Sequence, residues 1–114
     1  MNTGIEELIA IFQQVCSGSV NKIIISKSLH GENQYKKIEI LPMKDKYQIS
    51  QYTDKQVFHE NISADDLAFR CAQIMASNYG QANAWDGQYE HMIMQSKKGG
   101  CTYKKRKLKK EESI

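Results

Sequence analysis

The stretch Tyr52-Thr53-Asp54-Lys55-Gln56-Val57-Phe58-His59-Glu60-Asn61-Ile62 gathers aromatic rings, amides, a histidine and an acid within eleven residues. A histidine, with an unperturbed pKa near ~6.5, is the side chain suited to moving protons at neutral pH, and Glu60 or Asn61 beside it could orient the ring. General-base catalysis needs further partners, and the sequence identifies none for His59. Its plainer reading is a sheet-face residue whose ring bonds to a neighbouring strand. His30 falls in a turn and His91 in a strand, so the three histidines lack the spacing of a metal site. The chain has no P-loop, no H-E-x-x-H and no nucleophile-elbow serine, and Gly99-Gly100 reads as a hairpin turn. No catalytic, cofactor-binding or metal-ligating residue is assigned.

The same stretch is better suited to recognition. Tyr52, Lys55, Gln56, His59 and Asn61 offer stacking and hydrogen-bonding groups, and a basic run lies further along the chain. Lys97, Lys98, Lys104, Lys105, Arg106, Lys107, Lys109 and Lys110 are half of the sixteen lysines and arginines, opposed after residue 96 only by Glu111 and Glu112. With an overall charge of +3, a C-terminal balance of +6 leaves −3 on the first 96 residues. Cations near a phosphate backbone add salt-dependent affinity without sequence choice. The candidate recognition residues are Tyr52, Lys55, Gln56, His59, Asn61, Lys97, Lys98, Lys104, Lys105, Arg106 and Lys107, with RNA as the partner. Residues 104–114 also read as a solvated basic tail or linker. Tyr35, Tyr47, Tyr52, Phe58, Tyr89 and Tyr103 all fall on strands or their ends, where aromatics either stack bases or pair across strands.

The elements that must position these groups follow from spacing. Thr3-Gly4-Ile5-Glu6 fits a capping box, and Ile5, Leu8, Ile9, Phe12, Val15 and Cys16 make one apolar helical stripe ended by Ser17-Gly18. Val20 to Lys27 reads as a strand around Ile23-Ile24-Ile25, and His30-Gly31-Glu32-Asn33 as its turn. Tyr35 to Leu41 and Tyr47 to Tyr52 follow as strands, and Gln56 to His59 as a fourth strand or an extended crossing. Ser63 is placed to cap a second helix, with Asp65 and Asp66 in its first turn and Leu67, Cys71, Ile74 and Met75 as its buried stripe. Gln81 to Gln88 reads as a loop anchored by Trp85, then Tyr89 to Gln95 and Cys101 to Leu108 as a hairpin. The expectation is α+β: an antiparallel sheet of five to six strands with two helices packed on one face, in the order α-β-β-β-(β)-α-β-β, over a single domain at 1–103. The α-β-β-β-α start matches the order of a double-stranded-RNA-binding domain. Asp65 and Asp66, however, stand where such a domain keeps phosphate-binding lysines.

Length and composition bound the rest. A chain of 114 residues, 40% hydrophobic and 25% charged, makes one globular domain. No apolar run approaches the roughly 20 residues of a membrane span, and the acidic Glu6-Glu7 start is unlike a signal peptide, so the expected location is cytoplasmic. Cys16, Cys71 and Cys101 form no C-x-x-C pair. Cys16 and Cys71 fall on helical apolar faces, where a thiol acts as a small hydrophobe.

The run Tyr-Thr-x-Lys-Gln-x-Phe-His-x-Asn at residues 52–61 also carries a resemblance. With Ile23-Ile24-Ile25-Ser26, Tyr35-Lys36-Lys37-Ile38, Tyr47-Gln48-Ile49, Ala84-Trp85 and Ser96-Lys97-Lys98-Gly99, the chain resembles, over nearly its whole length, the N-terminal segment of a group of bacterial, mainly Firmicute, S-adenosylmethionine-dependent methyltransferases. In that family the segment precedes a Rossmann-like domain that carries the cofactor and the chemistry, and some relatives of that domain modify RNA. The resemblance implies a non-catalytic accessory domain that recognises or docks RNA. S-adenosylmethionine would then belong to a C-terminal methyltransferase domain in cis, and no family catalytic residue lies in this span. The alternative is a structural module that packs on a catalytic domain or forms a homodimer through its sheet edge, with no nucleic-acid role.

Overall fold

In the computed structural model, residues 3–18, 20–26, 37–52, 55–78, 80–95 and 100–109 are described. The His30 turn, Tyr35, Thr53, Asp54, Lys97, Lys98, Lys110 and the side chain of Thr3 lie outside them. The chain forms α1 (Thr3–Val15), β1 (Lys22–Ser26), β2 (Lys37–Pro42), β3 (Tyr47–Tyr52), β4 (Val57–Ile62), α2 (Ala64–Asn78), β5 (Gln81–Trp85), β6 (Tyr89–Gln95) and β7 (Cys101–Lys107). The fold is α+β, and all seven strands join one antiparallel sheet in the order β4-β3-β2-β1-β5-β6-β7.

That order contains two similar units. Each is a helix followed by a meander whose first strand lies at the centre of the sheet: α1 with β1 to β4, and α2 with β5 to β7. The units join where β1 pairs with β5, Ile23 opposite Ala84 and Ile25 opposite Ala82. The helices pack together, and each reaches over the other unit's strands: α1 touches β7, while Arg70 of α2 bonds to Glu60 of β4. Two α-meander halves are thereby locked across each other.

Period-two alternation decides which side of each strand is covered. Ile23, Ile25, Ile38, Ile40, Ile49, Ala82, Ala84 and Ile93 share one face, all buried with Leu8, Phe12 and Val15 of α1 and Leu67, Cys71, Ile74 and Met75 of α2. Each fully buried Ile or Leu contributes about 1.5–3 kcal/mol relative to exposure. Both helical stripes expected from the spacing therefore face this core. Cys16 and Cys101 pack at its margin. Burial pushes the Cys16 thiol up to about 11 and raises Cys71 and Cys101 as well, so none is an activated nucleophile.

Several expectations are corrected. There are seven strands rather than five or six, because Gln81–Trp85 is β5 and not a loop. Its sequence lacks β-branched residues, but Ala82 and Ala84 alternate inward and are fully buried. Asp86-Gly87 then turns the chain into β6, with Gly87 at φ +94°, a conformation that glycine adopts without steric cost. The fourth strand is complete and runs to Ile62, so four strands separate α1 from α2 and the double-stranded-RNA-binding order does not hold. Lys104 to Lys107 belong to β7, within the strand expected at Cys101 to Leu108. At the start of α2 the Ser63 hydroxyl donates to the Asp66 carboxylate at 3.1 Å, and the Asp66 amide donates to the Ser63 carbonyl at 3.2 Å.

Candidate recognition face

Among the described residues nothing packs over the face opposite the helices, and it collects most of those singled out from sequence. Because side chains alternate, Tyr52 of β3 and His59 and Asn61 of β4 point to this face, as do Lys104 and Arg106 of β7. The two groups occupy opposite edges. Six strand spacings separate β4 from β7, about 29 Å at ~4.8 Å each. Lys55 and Gln56 lie exposed in the β3–β4 connection. Lys105 and Lys107 point to the helix side, where the Lys105 ammonium stands 4.6 Å from the Tyr89 ring centroid. The basic run is thus two pairs on two faces, not one patch, since a strand cannot turn successive residues the same way.

Hydrogen bonds lace the open face. The Ser50 hydroxyl and His59 Nδ1 are 3.0 Å apart across β3 and β4, the arrangement expected of a sheet-face histidine. Glu60, proposed to orient His59, points the other way and takes two bonds at 3.0 Å from Arg70. That bidentate pairing, set against partial burial, holds the Glu60 carboxyl below its usual range. Toward the centre, the Tyr52 hydroxyl donates to Glu39 at 3.4 Å, Lys22 stands 3.6 Å from Glu39, and Lys37 lies 5.6 Å from the Tyr52 ring centroid. On the far half, Gln81 donates to Asn83, Asn83 to Glu90, and Arg106 to Glu90 at 2.6 Å. Arg106 therefore spends its charge on Glu90, and Lys104 is the more available cation at that edge. Lys22, Lys37, Lys104 and Arg106 outnumber Glu39 and Glu90, so the described open face carries a net positive charge.

Trp85, Asn83, Gln81 and Ser50 on this face were not named as recognition residues from sequence, Trp85 having been read only as an anchor. The alternation of Ala82 and Ala84 with polar neighbours was the available signal for the first three. Of the strand aromatics, only Tyr52 and Trp85 face outward among the described residues. Tyr47, Phe58, Tyr89 and Tyr103 are on the helix side, which leaves them out of any base-stacking platform on the open face.

A second missed cluster lies under the sheet. His91 is buried on the helix side, its Nε2 2.9 Å from Asp86 and its Nδ1 2.7 Å from the Tyr103 hydroxyl. Asp86 also accepts backbone N–H bonds from Gln88 and Tyr89. A carboxylate only accepts, so Nε2 carries a proton, and in the neutral ring Nδ1 accepts from Tyr103. Partial burial raises the Asp86 pKa, but the bonds from His91, Gln88 and Tyr89 outweigh it and leave the carboxyl below its ordinary value. Burial, and then the Asp86 charge, raise Tyr103. Every polar atom in this cluster has a partner, so it pins the β5–β6 turn to β7 and leaves no group aimed at a substrate.

The groove between α2 and β2 to β4, lined by Ile38, Ile49, Phe58 and Ile74, encloses about 110 Å³. Small-molecule pockets begin at about 300 Å³. No group of three or more potential metal ligands converges among the described residues, and no helix there is long and apolar enough to cross a membrane. A Rossmann-like cofactor site needs a parallel strand entering a helix through a glycine-rich turn. Here β4 enters α2 through Ser63, and β4 is antiparallel to β3, so the described residues do not form such a turn. No protein-family profile, curated protein or solved structure matches the chain.

Proposed function

We propose that this chain is a non-catalytic recognition module, the N-terminal accessory domain of a cytoplasmic S-adenosylmethionine-dependent methyltransferase, and that it presents single-stranded RNA on its open sheet face. The resemblance over residues 23–99 supports the methyltransferase context. The observation that carries the RNA reading is the placement of Tyr52, His59, Asn61, Trp85, Asn83 and Lys104 on one sheet face that, among the described residues, is open and net positive. Two rings can stack bases, the amides and hydroxyls can read base edges, and the lysines follow the backbone. Methyl transfer itself belongs to a separate domain, and no step of it is routed through these residues.

Fluorescence anisotropy with a labelled single-stranded RNA tests this across a salt series. Binding is expected at low ionic strength and should weaken as salt rises. Replacing Lys37 and Lys104 by alanine should reduce the salt slope by about 0.7 per cation removed. Trp85→Ala should cost about 1–3 kcal/mol of affinity through lost stacking. Absence of binding at low ionic strength, or affinity unchanged in the Lys37, Lys104 and Trp85 variants, would sink the RNA reading and leave the structural one.

A further inference from the structure

The two edges of the sheet are treated differently. β7 carries Lys104, Lys105, Arg106 and Lys107, and lysine-rich edges repel an incoming strand. β4 has neither Lys nor Pro, and its register with β3 runs without a bulge from Tyr47 opposite Ile62 to Tyr52 opposite Val57. Among the described residues only β3 pairs with it. Val57 is 44% and Phe58 51% exposed there. The one charge on β4, Glu60, is tied to Arg70 and so guards the edge poorly.

We propose that β4 is a homodimer interface, pairing antiparallel with β4 of a second copy about a two-fold axis through Phe58. Opposed residues in such a pair must share a sheet face, so the axis passes through a single residue of the strand. Through His59 it would set histidine against histidine, through Glu60 carboxylate against carboxylate, and through Val57 it would set His59 against Lys55. Through Phe58 it sets ring against ring, Val57 against His59 and Gln56 against Glu60, with no like charges opposed. A head-to-tail union of β4 with β7 would instead leave free edges and build an open filament, whereas the β4 pair closes. The axis stands normal to the sheet, so both open faces lie on one side and Tyr52, His59 and Asn61 of the two copies surround it. Only this last consequence rests on the recognition reading, because pairing needs no RNA.

Sedimentation equilibrium of the RNA-free chain, from low micromolar to its solubility limit, should give twice the 13.1 kDa chain mass. Phe58→Lys should raise the dimer dissociation constant about tenfold or more. Register is read by oxidative cross-linking. Directly opposed residues have Cα atoms about 4.5–5.5 Å apart, within disulfide reach, so Phe58→Cys should form a covalent dimer in clear excess over His59→Cys and Glu60→Cys. The wild-type chain is the background, its own thiols being buried or partly so. A monomer at every concentration, or a dimer insensitive to Phe58→Lys, would overturn the interface. Preferential cross-linking of His59→Cys or Glu60→Cys would overturn the register. RNA affinity that fails while the dimer stands removes only the recognition reading.

Discussion

Asp86 does three jobs with two oxygens, holding the Gln88 and Tyr89 amides and the His91 ring while that ring receives the Tyr103 hydroxyl. Asp86→Ala should therefore cost about 1–3 kcal/mol at neutral pH, since it leaves a buried imidazole donor unpaired. The pH dependence has a definite sign. Asp86 ionises more readily folded than its ordinary 3.8, so its contribution is present above that value and is lost as pH falls through the depressed folded value. Urea unfolding across the acid range should show a descending limb below about pH 4 that is shallower in Asp86→Ala. The cluster was hard to read from the chain because its members are separated by 5 and 12 positions. The Asp86-Gly87 turn signal was present, but nothing local tells which face of β6 carries His91.

Among the elements, α2 shows how differently two kinds of contact hold a helix to the sheet. Leu67, Cys71 and Met75 are almost wholly buried, and their helical spacing announced it. The Arg70–Glu60 pair, with side chains 37% and 45% exposed, gives α2 a polar clasp on β4. In spite of its bidentate geometry, such a pair is screened by water and worth about 0–1 kcal/mol. Arg70→Ala should lower unfolding free energy by less than about 1 kcal/mol in chemical denaturation. A loss beyond that would mean the guanidinium stem packs as well as pairs. β5 teaches the complementary lesson about legibility. Its Gln-Ala-Asn-Ala-Trp sequence has weak strand propensity, and it is a strand because its alanines fit under the helices at the join with β1.

For the molecule as a whole, stability should map onto distance from the β1–β5 join. Ile23 sits in the central strand with no exposure, whereas Leu41 lies on the open face at 38%. Ile23→Ala should cost about 2–5 kcal/mol, transfer and cavity terms together, and Leu41→Ala less than about 1 kcal/mol in the same urea titration. Comparable losses at both sites would mean that something covers the open face. By itself the sequence determined the α+β class, both helices and their buried stripes, and the alternating strands expected at Tyr35 to Leu41 and Tyr47 to Tyr52, which are Lys37–Pro42 and Tyr47–Tyr52 in the described sheet. Those are local periodicities that a chain states through its own side-chain spacing. Only the tertiary structure decided that β5 is a strand, that the basic run is divided between two faces, that Glu60 turns from His59 to Arg70, and that β4 is an edge of the described sheet. Each of these depends on which distant strand lies alongside, and register is a property of two segments together that neither carries alone.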